Sequence, residues 1–323
     1  MIPFRRHALA LLACAALAIS FGAAAQAFPD KPITFLVPFA AGSATDQLAR
    51  ALGQAVTVET KQSVVIDNKP GANAFIGAQA AAKAPKDGYT VFITTNTTHA
   101  ANEHLFKKLP YDPVKDFEPV TLLSKGAQIL VVNNDLPVKT VGELVKYAKA
   151  NPGKLSFGSG SSSSRIAGEL FKQMTGAFIV NIPYRSNPPA VTDLIGGQIQ
   201  LMITDMATGM PQVKAGKVRA LGVSTTQRVP LAPEIPTIAE AGVPGYEMSF
   251  WFAAYVPAGT PQPVVARLHE ILQKANRSQT VANFYANTGF EALAGGPGEL
   301  RKFQESESQK WNRIIRKAGI EKE

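Results

Sequence analysis

Two short stretches concentrate the chemistry this sequence can do. Phe39-Ala-Ala-Gly-Ser-Ala-Thr-Asp46 and Ser159-Gly-Ser-Ser-Ser-Ser-Arg165 are loops of glycine, alanine and hydroxyl residues, each lying between an apolar run and a helical stripe. Small residues keep such a turn open, so its backbone N–H groups reach whatever lies in front of it. A helix starting there adds the positive end of its dipole. Hydroxyls beside it are donors for carboxylate oxygens. The pair reads as an anion site. Its candidate contacts are Phe39, Ala40, Ala41, Gly42, Ser43, Thr45 and Asp46 in the first loop, and Ser159, Gly160, Ser161, Ser162, Ser163 and Arg165 in the second. Thr95 and Asn96 after a strand end, Tyr184 and Arg185, and Asp205 after an apolar run complete the set. Arg165 and Arg185 are either guanidinium ligands for a carboxylate or solvated charges. Asp46 and Asp205 either face solute or cap their own helices. A β-branched residue in place of Gly42 is expected to block the anion's approach and clash with the turn.

Covalent chemistry is poorly supplied. After residue 27 the histidines are His99, His104 and His269. There is no G-x-S-x-G elbow, no phosphate loop ending in Gly-Lys-Ser/Thr and no H-E-x-x-H. His99 and His104 are five apart, which does not stack them on one helix face. No catalytic residue, no metal and no cofactor are expected.

The elements that must hold these loops alternate. Strand-like runs are Ile33–Val37, Val64–Ile66, Thr90–Thr94, Gln128–Val132, Leu155–Phe157, Ile179–Ile182, Leu201–Ile203 and Ala220–Val223. Helical stripes include Asp46–Thr57, Phe75–Lys83, Val141–Ala150, Ser164–Met174, Pro188–Gly196, Met210–Ala215 and Pro263–Ala275. Alternation of this kind predicts α/β architecture with parallel sheets. Gly160 follows Gly42 by 118 positions, and the strand, loop, helix plan repeats there. That echo predicts two lobes, each presenting a helix N-terminus at its strand ends.

Residues 1–27 read as an export signal: Arg5 and Arg6, the apolar Ala8–Ala18, then Ala25-Gln26-Ala27 before a new start at Phe28. A membrane anchor, and a lipoprotein box at Leu11-Leu-Ala-Cys14, are rival readings of that segment. Cys14 is the only cysteine, so disulfides, thiolate metal sites and cysteine nucleophiles are excluded beyond it. Past residue 27 the chain holds 31 basic against 24 acidic residues, the basic ones scattered singly. That pattern argues against nucleic acid and for a weak pull on anionic solutes.

The chain resembles the periplasmic solute receptors of the tripartite tricarboxylate transporter type, the Bug receptors. The resemblance rests on Phe28-Pro-Asp-Lys-Pro-Ile33, Val37–Asp46, Asp67-Asn-Lys-Pro-Gly-Ala72, Pro85-Lys-Asp-Gly-Tyr89 and Pro183-Tyr184. It continues in Asp193–Gln198, Val218–Ser224, Pro236–Gly242 and Pro257-Ala-Gly-Thr-Pro261. It implies a two-lobed periplasmic-binding-protein fold, each lobe a mainly parallel sheet flanked by helices, with the ligand cleft between. Residues 28–122 and 248–323 would form one lobe and 123–247 the other. The implied ligand is a small carboxylate, di- or tricarboxylate or aromatic, gripped by the two loops largely through backbone groups. The implied partners are inner-membrane permease subunits, with the receptor a monomer in the periplasm. Gly42-Ser43 replaces the family's usual Gly-Gly, and Arg185-Ser-Asn-Pro-Pro189 departs from the usual sequence after Tyr184. A sensor feeding a membrane kinase and an α/β hydrolase are the alternatives.

Overall fold

The computed structural model describes residues 28–323. The expected export signal, its cleavage site and Cys14 lie outside the described residues. In the first lobe β1 (Ile33–Val37) lies between β2 (Val64–Asn68) and β3 (Thr90–Thr95), all parallel. In the second, β5 (Ser156–Ser159) lies between β6 (Val180–Pro183) and β7 (Leu201–Asp205), again parallel. The expected parallel β/α units are therefore present in duplicate.

Between them runs β4 (Phe117–Asn133), a strand of 17 residues. Its first part pairs antiparallel with β9 (Ser249–Pro257) up to Ala127, and with the short β10 (Phe290–Ala292) on its other side. From Gln128 onward it pairs antiparallel with β7 and with β8 (Val218–Val223). Each sheet is thus mixed: three parallel strands, then antiparallel ones contributed by β4 and its neighbours. Sequence periodicity found only the second half of β4. Pro119 and the Ser124-Lys125-Gly126 step interrupt its apolar run, and the register shifts near Pro119 and Leu122. It also missed β9, whose apolar run of aromatics and alanines carries no alternation.

Helices cover both faces. α1 (Ala44–Thr60) follows β1, α2 (Phe75–Ala82) follows β2, and a π turn (Thr97–Ala101) with α3 (Asn102–Leu105) follows β3. α4 (Val141–Ala150) opens on a Thr140 cap. α5 (Ser162–Thr175), α6 (Asn187–Ile195) and α7 (Met206–Lys214) follow β5, β6 and β7. α8 (Gln262–Asn276), α9 (Gln279–Thr288) and α10 (Pro297–Lys317) return to the first lobe. Buried aliphatic stripes explain the docking: Leu48, Ala49, Leu52 and Val56 of α1 are at most 1% exposed. Burying each leucine of that stripe stabilises the fold by roughly 1.5–3 kcal/mol.

His99 sits in the π turn and is fully buried. Its ring stacks on Tyr255 at 3.8 Å and meets Phe117 edge-on at 4.8 Å. Nδ1 lies 2.8 Å from the Thr98 hydroxyl, and Nε2 has no partner. It is a core aromatic. Burial pushes its pKa down from 6.5 to about 3. The unfolded chain therefore takes up a proton that the folded chain refuses. This contribution is intact above pH 6.5 and declines as pH falls toward 3, by about 1.4 kcal/mol per pH unit. Urea unfolding at pH 7 and at about pH 5.5 should show a loss near 1.4 kcal/mol that His99→Gln abolishes. An equal loss in both proteins would assign the acid sensitivity elsewhere.

Candidate functional site

The carboxyl ends of the parallel strands meet where β4 passes from one lobe to the other. Asp205, at the end of β7, is in register with Gln128 of β4. Thr95, at the end of β3, is in register with Phe252 of β9. Four helices begin around this junction, capped by Ser43 (α1), Ser161 (α5), Ser186 (α6) and Asp205 (α7). Three caps are engaged: Ser43 Oγ accepts from Asp46 N–H (3.3 Å), Ser161 Oγ from Ser164 N–H (3.2 Å), and Asp205 Oδ1 from Thr208 N–H (2.8 Å). The preceding N–H groups of each first turn have no acceptor within their own helix. They and the helix dipoles set partial positive charge at the junction, opposed by the Asp205 carboxylate in its wall.

A cavity of about 40 Å³ lies there, lined by Phe39, Ser43, Ala44, Thr45, Thr95, Thr97, Gln128, Gly160, Ser161, Ser163, Ser186, Asn187, Asp205, Phe250 and Phe252. Thr97 Oγ1, Gln128 Oε1 and Ser186 Oγ are buried on its wall without a hydrogen-bond partner. Each such group costs about 1–3 kcal/mol. Three in one cavity mark a place where a polar ligand completes the bonding. Asp205 contributes a carboxylate to the wall, but its oxygens are committed, Oδ2 accepting from Asn187 Nδ2 at 2.8 Å. Phe39, Phe250 and Phe252 form the apolar side.

The two loops come together as the sequence pattern suggested, with the work divided among their residues. Phe39, Ser43 and Thr45 face the cavity from one lobe, and Gly160, Ser161 and Ser163 from the other. Thr95 and Asp205 also line it. Ser164, next to the candidate serines, closes a capping box with Ser161 and accepts from Gly160 N–H. Ser162 and Ser163 instead reach across: Ser162 Oγ donates to Asn102 Oδ1 (2.6 Å), and Asn96 Nδ2 donates to Ser163 Oγ (2.9 Å). Ala40 and Ala41 shape the turn outside the cavity.

Several candidates are employed elsewhere. Arg165 forms an ion pair with Glu323 and is no carboxylate ligand here. Arg185 is exposed and off the lining. The Tyr184 hydroxyl donates to Asp193 (2.7 Å), and burial with that carboxylate raises its pKa to about 12. Ser159 Oγ donates to Asn181 Oδ1. Asp46 accepts from Gly42 N–H (2.9 Å) and pairs with Arg50 (3.0 Å). The expected clash at Gly42 is absent: an added Cβ would meet nothing within 4 Å, and only its φ of +79° resists a side chain. The crowded glycine is Gly160, where a Cβ would lie 2.0 Å from the Ser186 carbonyl carbon. Sequence reasoning missed Ala44, Gln128, Ser186, Asn187, Phe250 and Phe252, while Thr97 lies in the Thr94–Thr98 stretch that it singled out as candidate polar contacts. Ser186-Asn-Pro-Pro was readable as a cap before prolines at a helix start. Gln128 and the two phenylalanines carry no local signal.

Two α/β lobes joined by long strands, with a polar cavity under helix N-termini at the junction, define the periplasmic-binding-protein fold. The chain belongs to the tripartite tricarboxylate transporter family of receptors, whose pattern matches residues 45–320. It is 33% identical to the protein BugT of Bordetella pertussis over 91% of both chains. The structure of R. palustris Rpa4515 with adipate superposes with a TM-score of 0.89 at 36% identity, covering 92% of this chain and 100% of that one. MatC from Rhodopseudomonas palustris with bound malate gives 0.83 at 29% identity, covering 89% and 100%.

The two glycines should separate in mutagenesis. Gly42→Ala should cost about 1–2 kcal/mol, the strain of a left-handed residue. Gly160→Ala should cost about 3 kcal/mol or more, because backbone must move. Urea denaturation of both variants measures the order; a harmless Gly160→Ala would refute the close approach of the Ser186 backbone.

Proposed function

We propose that this chain is a periplasmic receptor that captures a small carboxylate between its lobes and hands it to permease subunits of a tripartite tricarboxylate-type transporter. The convergence of four helix N-termini and two unpartnered hydroxyls, Thr97 and Ser186, on one interlobe cavity carries the reading. An anionic group there would accept from first-turn N–H groups while the hydroxyls of Thr97 and Ser186 donate to it. The adipate and malate held by the two relatives support a carboxylate of that kind. Its release unchanged follows from the cavity's contents: hydroxyls, amides and a committed carboxylate, with no paired nucleophile and base among its lining residues.

Capture requires the lobes to part and close. We place the hinge in β4 at Ala127–Gln128, where the pairing partners change, and in the return segment before Ser249. The Asn96–Ser163 and Ser162–Asn102 bonds act as the clasp. A receptor working alone, without cofactor or nucleic acid, meets these requirements.

Thermal melting with adipate and with malate tests the proposal. A ligand that binds only the folded state raises stability by about 2.7 kcal/mol at a hundredfold excess over Kd. The ligand should be recovered unchanged after prolonged incubation. No shift with any of a panel of mono-, di- and tricarboxylates would defeat the receptor reading. Ser163→Ala should weaken every bound carboxylate alike, by about 0.5–1.5 kcal/mol, since it removes one neutral bond of closure. Calorimetry in which that variant discriminates among ligands would place Ser163 on the ligand instead.

A further inference from the structure

Among the described residues, every ion pair but one lies within a single lobe, with the Ala127–Gln128 joint of β4 as the dividing line. The exception joins Arg165, near the start of α5 in the second lobe, to Glu323 of the first. Backbone bonds hold Glu323 in place. Gly319, at φ +67°, ends α10: its N–H donates to Arg316 O (3.0 Å), and Ile320 N–H to Ile315 O (3.2 Å). The turn passes beside α5, where a Cβ at Gly319 would lie 3.5 Å from Gln173 Oε1. The chain then runs back over α3. Lys322 Nζ donates to Glu103 O (2.8 Å), Glu323 N–H to Leu105 O (2.9 Å), and Lys107 N–H to Glu323 O (2.7 Å). The same short helix carries Asn102, which accepts from Ser162 of α5. Ion pair and clasp therefore bridge the same two parts of the molecule.

We propose that residues 319–323 form a strap that holds the lobes closed, with the Arg165–Glu323 pair as its fastening. The proposal rests on the receptor reading and on the hinge placed above. The Arg165 side chain is only 19% exposed, and its Nε has no partner. In the closed arrangement its charge is largely out of water and is answered by Glu323. The Glu323 side chain, at 56%, keeps most of its contact with water. The two ends of the pair are therefore unequal. Without Glu323, a desolvated guanidinium is left that regains water when the lobes part. Without Arg165, a carboxylate is left that water already serves. Neither residue lines the interlobe cavity. The strap therefore acts on the arrangement of the lobes and is blind to the identity of the ligand.

Calorimetry and dissociation kinetics with adipate and with malate test the strap in the unmodified protein, Glu323→Gln, Arg165→Gln and the double variant. Glu323→Gln should weaken both ligands by the same factor, about three- to tenfold, the upper end for a partly exposed pair. The loss should lie in faster release. Arg165→Gln should weaken them less, and the double variant should match Arg165→Gln, since the stranded charge is gone. The ratio between the unmodified and Glu323→Gln proteins should shrink at high salt, which screens the pair. Unchanged affinity in Glu323→Gln, or factors that differ between adipate and malate, overturns the strap and leaves the receptor reading standing. Should the unmodified protein bind neither ligand, the receptor reading falls and the distance between the lobes decides the strap. Spin labels at Lys108→Cys in the first lobe and Lys154→Cys in the second report that distance; both positions are exposed, and no cysteine follows Cys14. A longer mean distance in Glu323→Gln supports the strap, and an identical distribution overturns it.

Discussion

A helix that begins inside a protein leaves several N–H groups without acceptors, and this fold places four such beginnings around one point. Most of the site follows from that constraint. Ser43, Ser161 and Asp205 each satisfy one donor by capping, which fixes the first turn of each helix. The donors left over point into the junction, and so do hydroxyls that have found no partner. An anion, the ligand proposed above, would satisfy these donors at once without an arginine of its own. The only arginine adjoining the second loop, Arg165, is free to serve Glu323 instead.

The same junction is where the strand pairing changes, and the hinge proposed above lies there. β4 belongs to both sheets, and its partners change between Ala127 and Gln128. Gln128 is therefore both a site residue and a joint residue: its amide N–H donates to Ser224 Oγ at 2.8 Å while its side chain faces the cavity. A motion about this joint changes the cavity and the Asn96–Ser163 and Ser162–Asn102 bonds together. Neutral bonds suit a clasp that must open, since each contributes only about 0.5–1.5 kcal/mol. A ligand that binds the closed arrangement better than the open one would shift the balance by its differential affinity.

What the sequence made legible was local. The strand, small loop, helix units read correctly because a buried strand, an open turn and a capped helix each leave a short-range pattern. Ser43 and Ser161 were recoverable as caps for that reason. The failures were non-local. The partner of Arg165 lies 158 residues away, and that of Tyr184 is fixed by how α6 packs against β5. Phe250 and Phe252 reach the site only because β9 returns between β3 and β4. Gly160 was chosen for openness, yet its real constraint is the Ser186 backbone pressed against it, a contact between two separate loops. Gly42 was chosen for crowding and proved open.

That exchange of roles between the glycines bears on specificity. The inner cavity is built from backbone, caps and the Gly160 contact, and none of these can change much without losing the fold. Its shape is therefore insensitive to surface variation. The space outside it is walled by exposed or half-exposed side chains: Thr192 of α6, Gln212 of α7 and Lys217 in the turn after α7. Substitution there costs little stability, because surface changes away from caps and cores lie within about 0.5 kcal/mol.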